Sequence, residues 1–83
     1  MIKSELLDYL AVEISSAQQR ISPKMTKSDK VDTGRLEFLT ALRAVVAGSA
    51  TPENLGTVGA VNDVLQKLGL LEPKKTLLNE LEA

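Results

Sequence analysis

The sequence predicts an all-α protein, a small helical hairpin followed by two shorter C-terminal helices. Apolar residues recur at intervals of three and four, as on one face of an α-helix, and no stretch alternates long enough to make a strand. Proline and glycine residues divide the chain into separate helical segments. At 83 residues the chain supports one domain, residues 1–83, and domains this small are often stabilised by self-association.

The first helix is expected over residues 5–20. Ser4 is its predicted N-cap, and Glu5 and Asp8 lie in the first turn, where the helix dipole favours negative charge. Its apolar stripe has near-heptad spacing and comprises Leu7, Leu10, Ala11, Ile14, Ala17 and Ile21. The helix ends before Pro23, because the residue that precedes a proline avoids helical backbone angles.

A polar and charged segment, residues 22–35, separates the first helix from the second, which is expected over residues 34–47. Three residues of the segment are candidate caps: Asp29, Asp32 and Thr33. Gly48 fits the left-handed conformation that ends many helices. Two helices joined by a turn of about a dozen residues favour an antiparallel hairpin.

The third helix is expected over residues 58–68. Thr51 and Pro52 make a helix start, but Gly56 and Gly59 weaken it, so a short turn is expected over residues 52–56. Gly69 then ends the helix.

The fourth helix is expected over residues 73–82, with an apolar cluster of Leu77, Leu78 and Leu81. Helices this short are marginal in water unless they pack against something. The cluster therefore docks either on its own domain or on a second subunit. The stripe of the first helix leaves the same two alternatives open, one intramolecular core or a homo-oligomer, and we expect the homo-oligomer.

Composition excludes several classes of function. The chain has no histidine and no cysteine, which removes most zinc sites, thiol catalysis and imidazole general-base chemistry. A net charge of −1 gives no overall attraction to DNA, RNA or anionic membranes, and no apolar run reaches membrane-spanning length. The acidic N-terminus is unlike a secretion signal. We expect a cytoplasmic protein that is not an enzyme and has no cofactor.

The remaining chemical motifs are weak. Asp29 and Asp32 are three residues apart, but carboxylates near a helix start usually cap it, and the pair lacks the further ligands of a calcium loop. Gly56 and Gly59 do not form a phosphate-binding loop, which requires a lysine at a fixed spacing. The sequence therefore predicts binding rather than catalysis.

Positive charge concentrates between residues 20 and 35. The cations are Arg20, Lys24, Lys27, Lys30 and Arg35, and with two aspartates they give the segment a charge of +3 on a chain whose net charge is −1. Such a cluster attracts anions, in proportion to a small phosphate-bearing ligand. The alternative is a solvated turn whose lysines serve solubility. Tyr9 is able to stack on a base, or else it shields the edge of the core.

These residues resemble the phage anti-CBASS sponge family, small helical proteins that assemble into hexamers and sequester cyclic oligonucleotide immune signals. Tyr9 in L-L-D-Y-L-A, and Lys24 and Thr26 in S-P-K-M-T-K, are similar to the family's stacking tyrosine, phosphate-binding lysine and nearby threonine. The resemblance covers residues 6–48. It implies a ligand pocket between subunits that includes Tyr9, Lys24, Thr26 and Lys27, in a phage protein of the host cytoplasm.

Two functions follow as hypotheses. The first is a counter-defence sponge that sequesters cyclic di- or oligonucleotides in an inter-subunit pocket, as the resemblance implies. The second is a small helical protein–protein interaction module, a phage- or plasmid-encoded inhibitor or assembly adaptor that binds a host protein. The surplus of amphipathic stripes favours the second.

Overall fold

The structure is a computed structural model that describes residues 1–80. It contains three α-helices and a short C-terminal 3₁₀ helix: α1 (Lys3–Arg20), α2 (Lys27–Ala47), α3 (Pro52–Lys67) and Leu77–Glu80. The described residues contain no β-strand, which confirms the all-α prediction. None of their helices is both long enough and apolar enough to span a membrane.

Helix α1 begins at Lys3, so the predicted cap at Ser4 is wrong. Ile2 occupies the N-cap position in an extended conformation, and the Glu5 carboxylate accepts a hydrogen bond from its backbone N–H at 3.4 Å. The Glu5 carboxylate thus gives a backbone N–H at the start of the helix its hydrogen-bond partner, because the N-cap residue Ile2 has no polar side chain. The predicted end at Arg20 is confirmed.

Helix α2 begins at Lys27 rather than at the predicted Gly34. Thr26 is the N-cap, and its hydroxyl accepts a hydrogen bond from the backbone N–H of Asp29. Because the Asp29 carboxylate in turn accepts from the backbone N–H of Thr26, the two residues form a capping box that starts the helix early. The predicted end is confirmed: Gly48 has φ 79°.

Helix α3 begins at Pro52, so the predicted start at Val58 is also wrong. Thr51 caps it and exchanges hydrogen bonds with Asn54, the Thr51 hydroxyl accepting at 3.1 Å and the Asn54 side chain accepting at 3.0 Å. This capping box outweighs the helix-weakening effect of the two glycines that follow. The helix ends at Lys67, and Gly69 adopts the predicted left-handed conformation, with φ 79°.

The C-terminal segment folds back onto α3. The Asn62 side-chain oxygen accepts a hydrogen bond from the backbone N–H of Leu77 at 2.8 Å, and the Gln66 amide donates to the Lys75 carbonyl oxygen. The helix predicted over residues 73–82 is replaced by the 3₁₀ helix, and Leu81 lies outside the described residues. Leu77 therefore docks within its own chain.

Helix α2 is central to the packing. It packs against α1 and against α3, whereas α1 and α3 make at most marginal contact with each other in the described part of the chain. Few apolar side chains are buried as a result: Leu10, Ala17, Ala41, Val46 and Val58. The helices form an open array around α2 instead of a closed bundle.

The dimensions of the molecule agree with this open packing. Its radius of gyration is 14.0 Å, and a compact domain of this length has roughly 12 Å. Its accessible surface is 5899 Å², against about 4,800 Å² for a compact monomer of the same mass. The chain thus exposes a surplus on the order of 1,000 Å².

Candidate binding site at the turn between α1 and α2

The backbone between α1 and α2 reverses direction in a tight turn. The backbone N–H of Met25 donates to the carbonyl oxygen of Ser22 at 3.3 Å, and Pro23 supplies the preset φ angle that the second position of such a turn favours. Met25 has φ 50°, the one non-glycine residue with positive φ in the described chain. This left-handed residue carries Thr26 into the N-cap position of α2.

The Asp29 carboxylate holds the turn together. It accepts hydrogen bonds from the Ser22 hydroxyl at 2.6 Å, the Ser22 backbone N–H at 3.1 Å and the Thr26 backbone N–H at 2.9 Å. The residue itself is buried. Hydrogen bonds from the Ser22 hydroxyl and the Thr26 backbone lower the pKa of Asp29 to about 2. Asp29 is therefore a structural carboxylate that remains ionised at neutral pH.

An ion pair joins α1 to α2 beside the turn. The Arg20 guanidinium donates to Asp32 through Nη2 at 2.8 Å and through Nε at 3.1 Å. Asp32 is buried, whereas about half of the Arg20 side chain stays exposed. The hydrogen bond from Arg20 lowers the pKa of Asp32, and the same bond raises the pKa of the guanidinium. The pair fixes the register of the two helices.

These contacts sort the charges of the turn by depth. Both aspartates are buried in hydrogen-bonded positions, and Arg20 is committed to one of them. The other cations of the cluster are exposed and form no ion pair within residues 1–80: Lys24, Lys27, Lys30 and Arg35. The charged groups that the turn exposes to solvent are therefore almost all positive, although the net charge of the segment is only +3.

The structure places three of the four predicted site residues together. Lys24 lies in the turn, Thr26 caps α2, and Lys27 is the first residue of that helix; all three are exposed. The Thr26 hydroxyl oxygen accepts from the Asp29 N–H, which leaves the hydroxyl hydrogen free to donate to a ligand.

Tyr9, the fourth predicted site residue, lies apart from the turn. It is 51% exposed on α1, about 16 Å from the end of that helix at 1.5 Å per residue. A single chain thus does not bring the tyrosine to Lys24. A pocket that contains both requires a second copy of the chain.

Two contacts of the turn were not predicted: the capping box of Thr26 with Asp29, and the ion pair of Arg20 with Asp32. The sequence T-K-S-D at residues 26–29 carries a signal for the first, because a threonine followed three residues later by an acid is a capping-box pattern. The pairing of Arg20 with Asp32 has no comparable local signal, since it depends on the register between α1 and α2.

An apolar cavity lies elsewhere, between α2, α3 and the C-terminal segment. It has a volume of about 200 Å³, and its lining includes Val45, Val58 and Leu77. The buried Asn62 also borders it, but its side-chain oxygen already accepts from the Leu77 N–H. The cavity is thus a packing gap between segments of the same chain.

No known protein family, curated protein or solved structure shows significant similarity to this chain. The resemblance to the anti-CBASS sponges stays a prediction that is based on residues 6–48. In the described residues, no group of three or more His, Cys, Asp or Glu side chains is placed to hold a metal ion.

Proposed function

We propose that this protein is a non-enzymatic helical interaction module that binds another polypeptide through an apolar stripe on α1. The observation that carries the proposal is the exposure of Ile2, Tyr9 and Val12, here called the α1 stripe. Tyr9 and Val12 lie on α1 and Ile2 is its N-cap residue, and the three are seven and three residues apart, as in a heptad. Val12 lies on the side of α1 opposite the buried Leu10 and is 63% exposed. Such a stripe is the usual docking surface for a second amphipathic helix.

Charges around the α1 stripe indicate the chemistry of the partner. Asp8 and Glu13 flank the stripe on the same helix, and Glu5 lies within its line between Ile2 and Tyr9. None of these three acids forms an ion pair within the described residues. An apolar seam with an acidic rim is complementary to an amphipathic helix whose flanks carry lysine or arginine. We therefore propose a basic amphipathic helix of a host protein as the ligand of this surface.

Affinity capture with paired variants tests this proposal. Val12→Asp places a charge in the α1 stripe, whereas Gln18→Asp adds the same charge at an exposed position on the side of α1 opposite Tyr9. Wild type and Gln18→Asp should retain one partner in near-stoichiometric amount, and Val12→Asp should lose it. Recovery should also fall as salt rises, because the rim interactions are screened beyond about 8 Å at physiological ionic strength. Equal recovery with all three baits would refute the assignment.

A second candidate function is sequestration of a cyclic di- or oligonucleotide. The observation that favours it is the exposed pair Lys24 and Lys27 beside the Thr26 hydroxyl, with the neighbouring acids buried. Phosphate oxygens accept well from such donors. Tyr9 of a second copy would supply the stacking surface, because Tyr9 of the same chain is too distant.

Thermal melts with cyclic dinucleotides test the second candidate. We expect a rise in melting temperature that Lys24→Ala and Tyr9→Ala abolish and that Tyr9→Phe retains, because phenylalanine still stacks. Lys74→Ala, which removes an exposed lysine beyond α3, is the matched control. The absence of any rise at high micromolar ligand would reject this function.

A further inference from the structure

The gap between α2, α3 and the C-terminal segment is large for a domain of this size. Its volume is about 200 Å³, whereas voids larger than one water molecule are few in protein interiors. An engineered apolar cavity of about 150 Å³ in another protein is large enough to take up benzene. By the same proportion, this cavity has room for about eight non-hydrogen atoms. It therefore has the size of a small organic ligand.

The lining of the cavity carries no charged side chain in the described part of the chain. Most of it consists of apolar side chains and the backbone of one glycine: Val45, Leu55, Val58, Gly59, Leu77 and Leu78. The polar residues are Asn62 and Thr76. Leu55 is 56% exposed and Leu78 is 38% exposed, so the cavity opens to solvent beside them. Because a charged group would lose its hydration here without gaining an ion partner, the lining favours a neutral ligand.

One buried side chain of the lining has unused hydrogen-bond donors. Asn62 is only 9% exposed, and its side-chain oxygen accepts from the backbone N–H of Leu77 at 2.8 Å. This bond fixes the orientation of the amide, because a flipped amide would turn its NH₂ group against the Leu77 N–H. The NH₂ group makes no hydrogen bond within residues 1–80, yet every fully enclosed side-chain nitrogen and oxygen there has a partner. The group therefore faces accessible space, which the cavity beside Asn62 supplies.

We propose that the cavity between α2, α3 and the C-terminal segment binds a small, neutral, apolar molecule whose carbonyl oxygen accepts a hydrogen bond from the Asn62 NH₂ group. The apolar body of the ligand fills the space between Val45, Val58 and Leu77. An acceptor at Asn62 adds specificity, because a buried donor without a partner is costly. This inference goes beyond the proposed function and does not depend on it, since it concerns the opposite side of α2 from α1.

Water is a poor occupant of this cavity. An ordered buried water needs about two to four polar partners, and the polar side chains of the described lining are Asn62 and Thr76. The Thr76 hydroxyl already donates to the side-chain oxygen of Asn79 at 3.3 Å. One donor group is thus left for a space that corresponds to about seven waters in the liquid. Displacement of poorly held water by apolar groups favours binding.

Gly59 allows the cavity to be filled without removing a side-chain contact. It lies in the wall, and no atom of another part of the chain lies within 4 Å of the position that a Cβ would take. Gly59→Leu therefore extends a side chain into open space and removes a residue that weakens α3. The variant should be at least as stable as wild type. Gly34→Leu makes the same change at an exposed position of α2 outside the lining, again with nothing within 4 Å of the Cβ, and is the matched control.

An NMR titration of the isotope-labelled full chain with acetophenone, a neutral aromatic ketone of suitable size, tests the proposal. Wild type and Gly34→Leu should show saturable shifts of the Leu77 amide and a downfield shift of the Asn62 NH₂ resonances. The dissociation constant should be on the order of 0.1–1 mM. Gly59→Leu should bind at least about ten-fold more weakly. The absence of a saturable shift in wild type up to about 10 mM, or equal binding by Gly59→Leu, would overturn the proposal.

A pair of ligands isolates the hydrogen bond to Asn62. Isopropenylbenzene has the shape of acetophenone with a methylene group in place of the carbonyl oxygen, so it fills the same space but accepts no hydrogen bond. Asn62→Asp keeps an oxygen for the Leu77 N–H and removes the donor. In this variant the ratio of the two affinities should shift towards isopropenylbenzene by about two- to twelve-fold, the range expected for one hydrogen bond. The difference in hydrophobicity between the ligands cancels in this comparison.

An unchanged ratio would refute the role of Asn62 and with it the proposal. Protection of the Leu77 amide from hydrogen exchange verifies that Asn62→Asp keeps the C-terminal segment in place. The comparison does not involve Gly59, so it decides the question even if leucine at that position disturbs the fold.

Failure of this site is distinguishable from failure of the proposed function. Val12 lies on α1, outside the lining of the cavity, so Val12→Asp should bind acetophenone as wild type does. Loss of binding in Val12→Asp would place the ligand on α1 and overturn the proposal. A chain that binds no acetophenone but still captures its partner through Val12 would reject the cavity site alone.

Discussion

Replacement of Leu10 by alanine is the most informative perturbation of the helical hairpin. Leu10 is the largest side chain that is essentially fully buried, with 1% of its surface exposed. Two positions later on the same helix, Val12 is 63% exposed. Alanine substitutions at the two sites therefore separate the face of α1 that packs on α2 from the face that does not.

The expected magnitudes differ by several-fold. Leu→Ala at a buried site costs about 2.7–5 kcal/mol of unfolding free energy, and an open core that relaxes around the cavity favours the lower end, about 3 kcal/mol. A domain of this size has a total of about 4–12 kcal/mol, so Leu10→Ala removes a large fraction of it. Val12→Ala should change stability by less than about 0.5 kcal/mol, because alanine's better helix propensity offsets the little area lost.

Chemical denaturation monitored by circular dichroism measures both changes. All variants must be compared at one protein concentration, because self-association adds to apparent stability. In thermal melts we expect Leu10→Ala to lower the midpoint by about 10–25 °C. A loss below about 1 kcal/mol for Leu10→Ala, or an equal loss for Val12→Ala, would refute the orientation of α1.

Three further predictions concern the turn and the C-terminal segment. The pKa of Asp29 is about 2 in the folded chain against an ordinary 3.8. The stability that its ionised form contributes is therefore complete above the unfolded pKa and is lost as pH falls from about 4 towards 2. Over this range the melting temperature should fall more steeply with decreasing pH for wild type than for Asp29→Asn. Met25→Gly should raise the melting temperature, because the left-handed conformation at this residue costs a non-glycine residue roughly 1 kcal/mol, and Met25→Ala should give no such rise. Asn62→Ala should abolish hydrogen-exchange protection of the Leu77 amide, at a cost of about 1 kcal/mol; unchanged protection would show that another group holds the segment.

Local sequence signals predicted the helix ends better than the helix starts. Arg20 and Gly48 end their helices as predicted, because a proline turn and a left-handed glycine act within a few residues. The start of α2 is predicted too late because Asp29, Asp32 and Thr33 are all possible caps, and that of α3 because Gly56 and Gly59 weaken a helix. Each glycine costs only about 1 kcal/mol, which a capping box and packing against a neighbouring helix are able to offset.

The candidate site was predictable in its residue types but not in its geometry. The charge count identified the lysines at the start of α2 as the exposed cations of the turn. It could not reveal that Asp29 and Asp32 are buried, because that depends on Ser22 and Arg20 reaching them across the turn. Nor could spacing along the chain show that Tyr9 lies far from the turn in one copy.

The nucleotide pocket makes its own demand on assembly. Tyr9 lies about 16 Å along α1 from the end of the helix that leads into the turn, so a pocket that contains both Tyr9 and Lys24 requires a second copy. The contact with that copy would be formed by α1, which packs on α2 and makes at most marginal contact with α3. Binding of a cyclic nucleotide should then disappear in Val12→Asp, which places a charge on the exposed face of α1, and persist in Val64→Asp, which places the same charge at an exposed position of α3. If both variants lost it, the pocket would depend on α3 as well, and the assignment of the contact to α1 would be wrong.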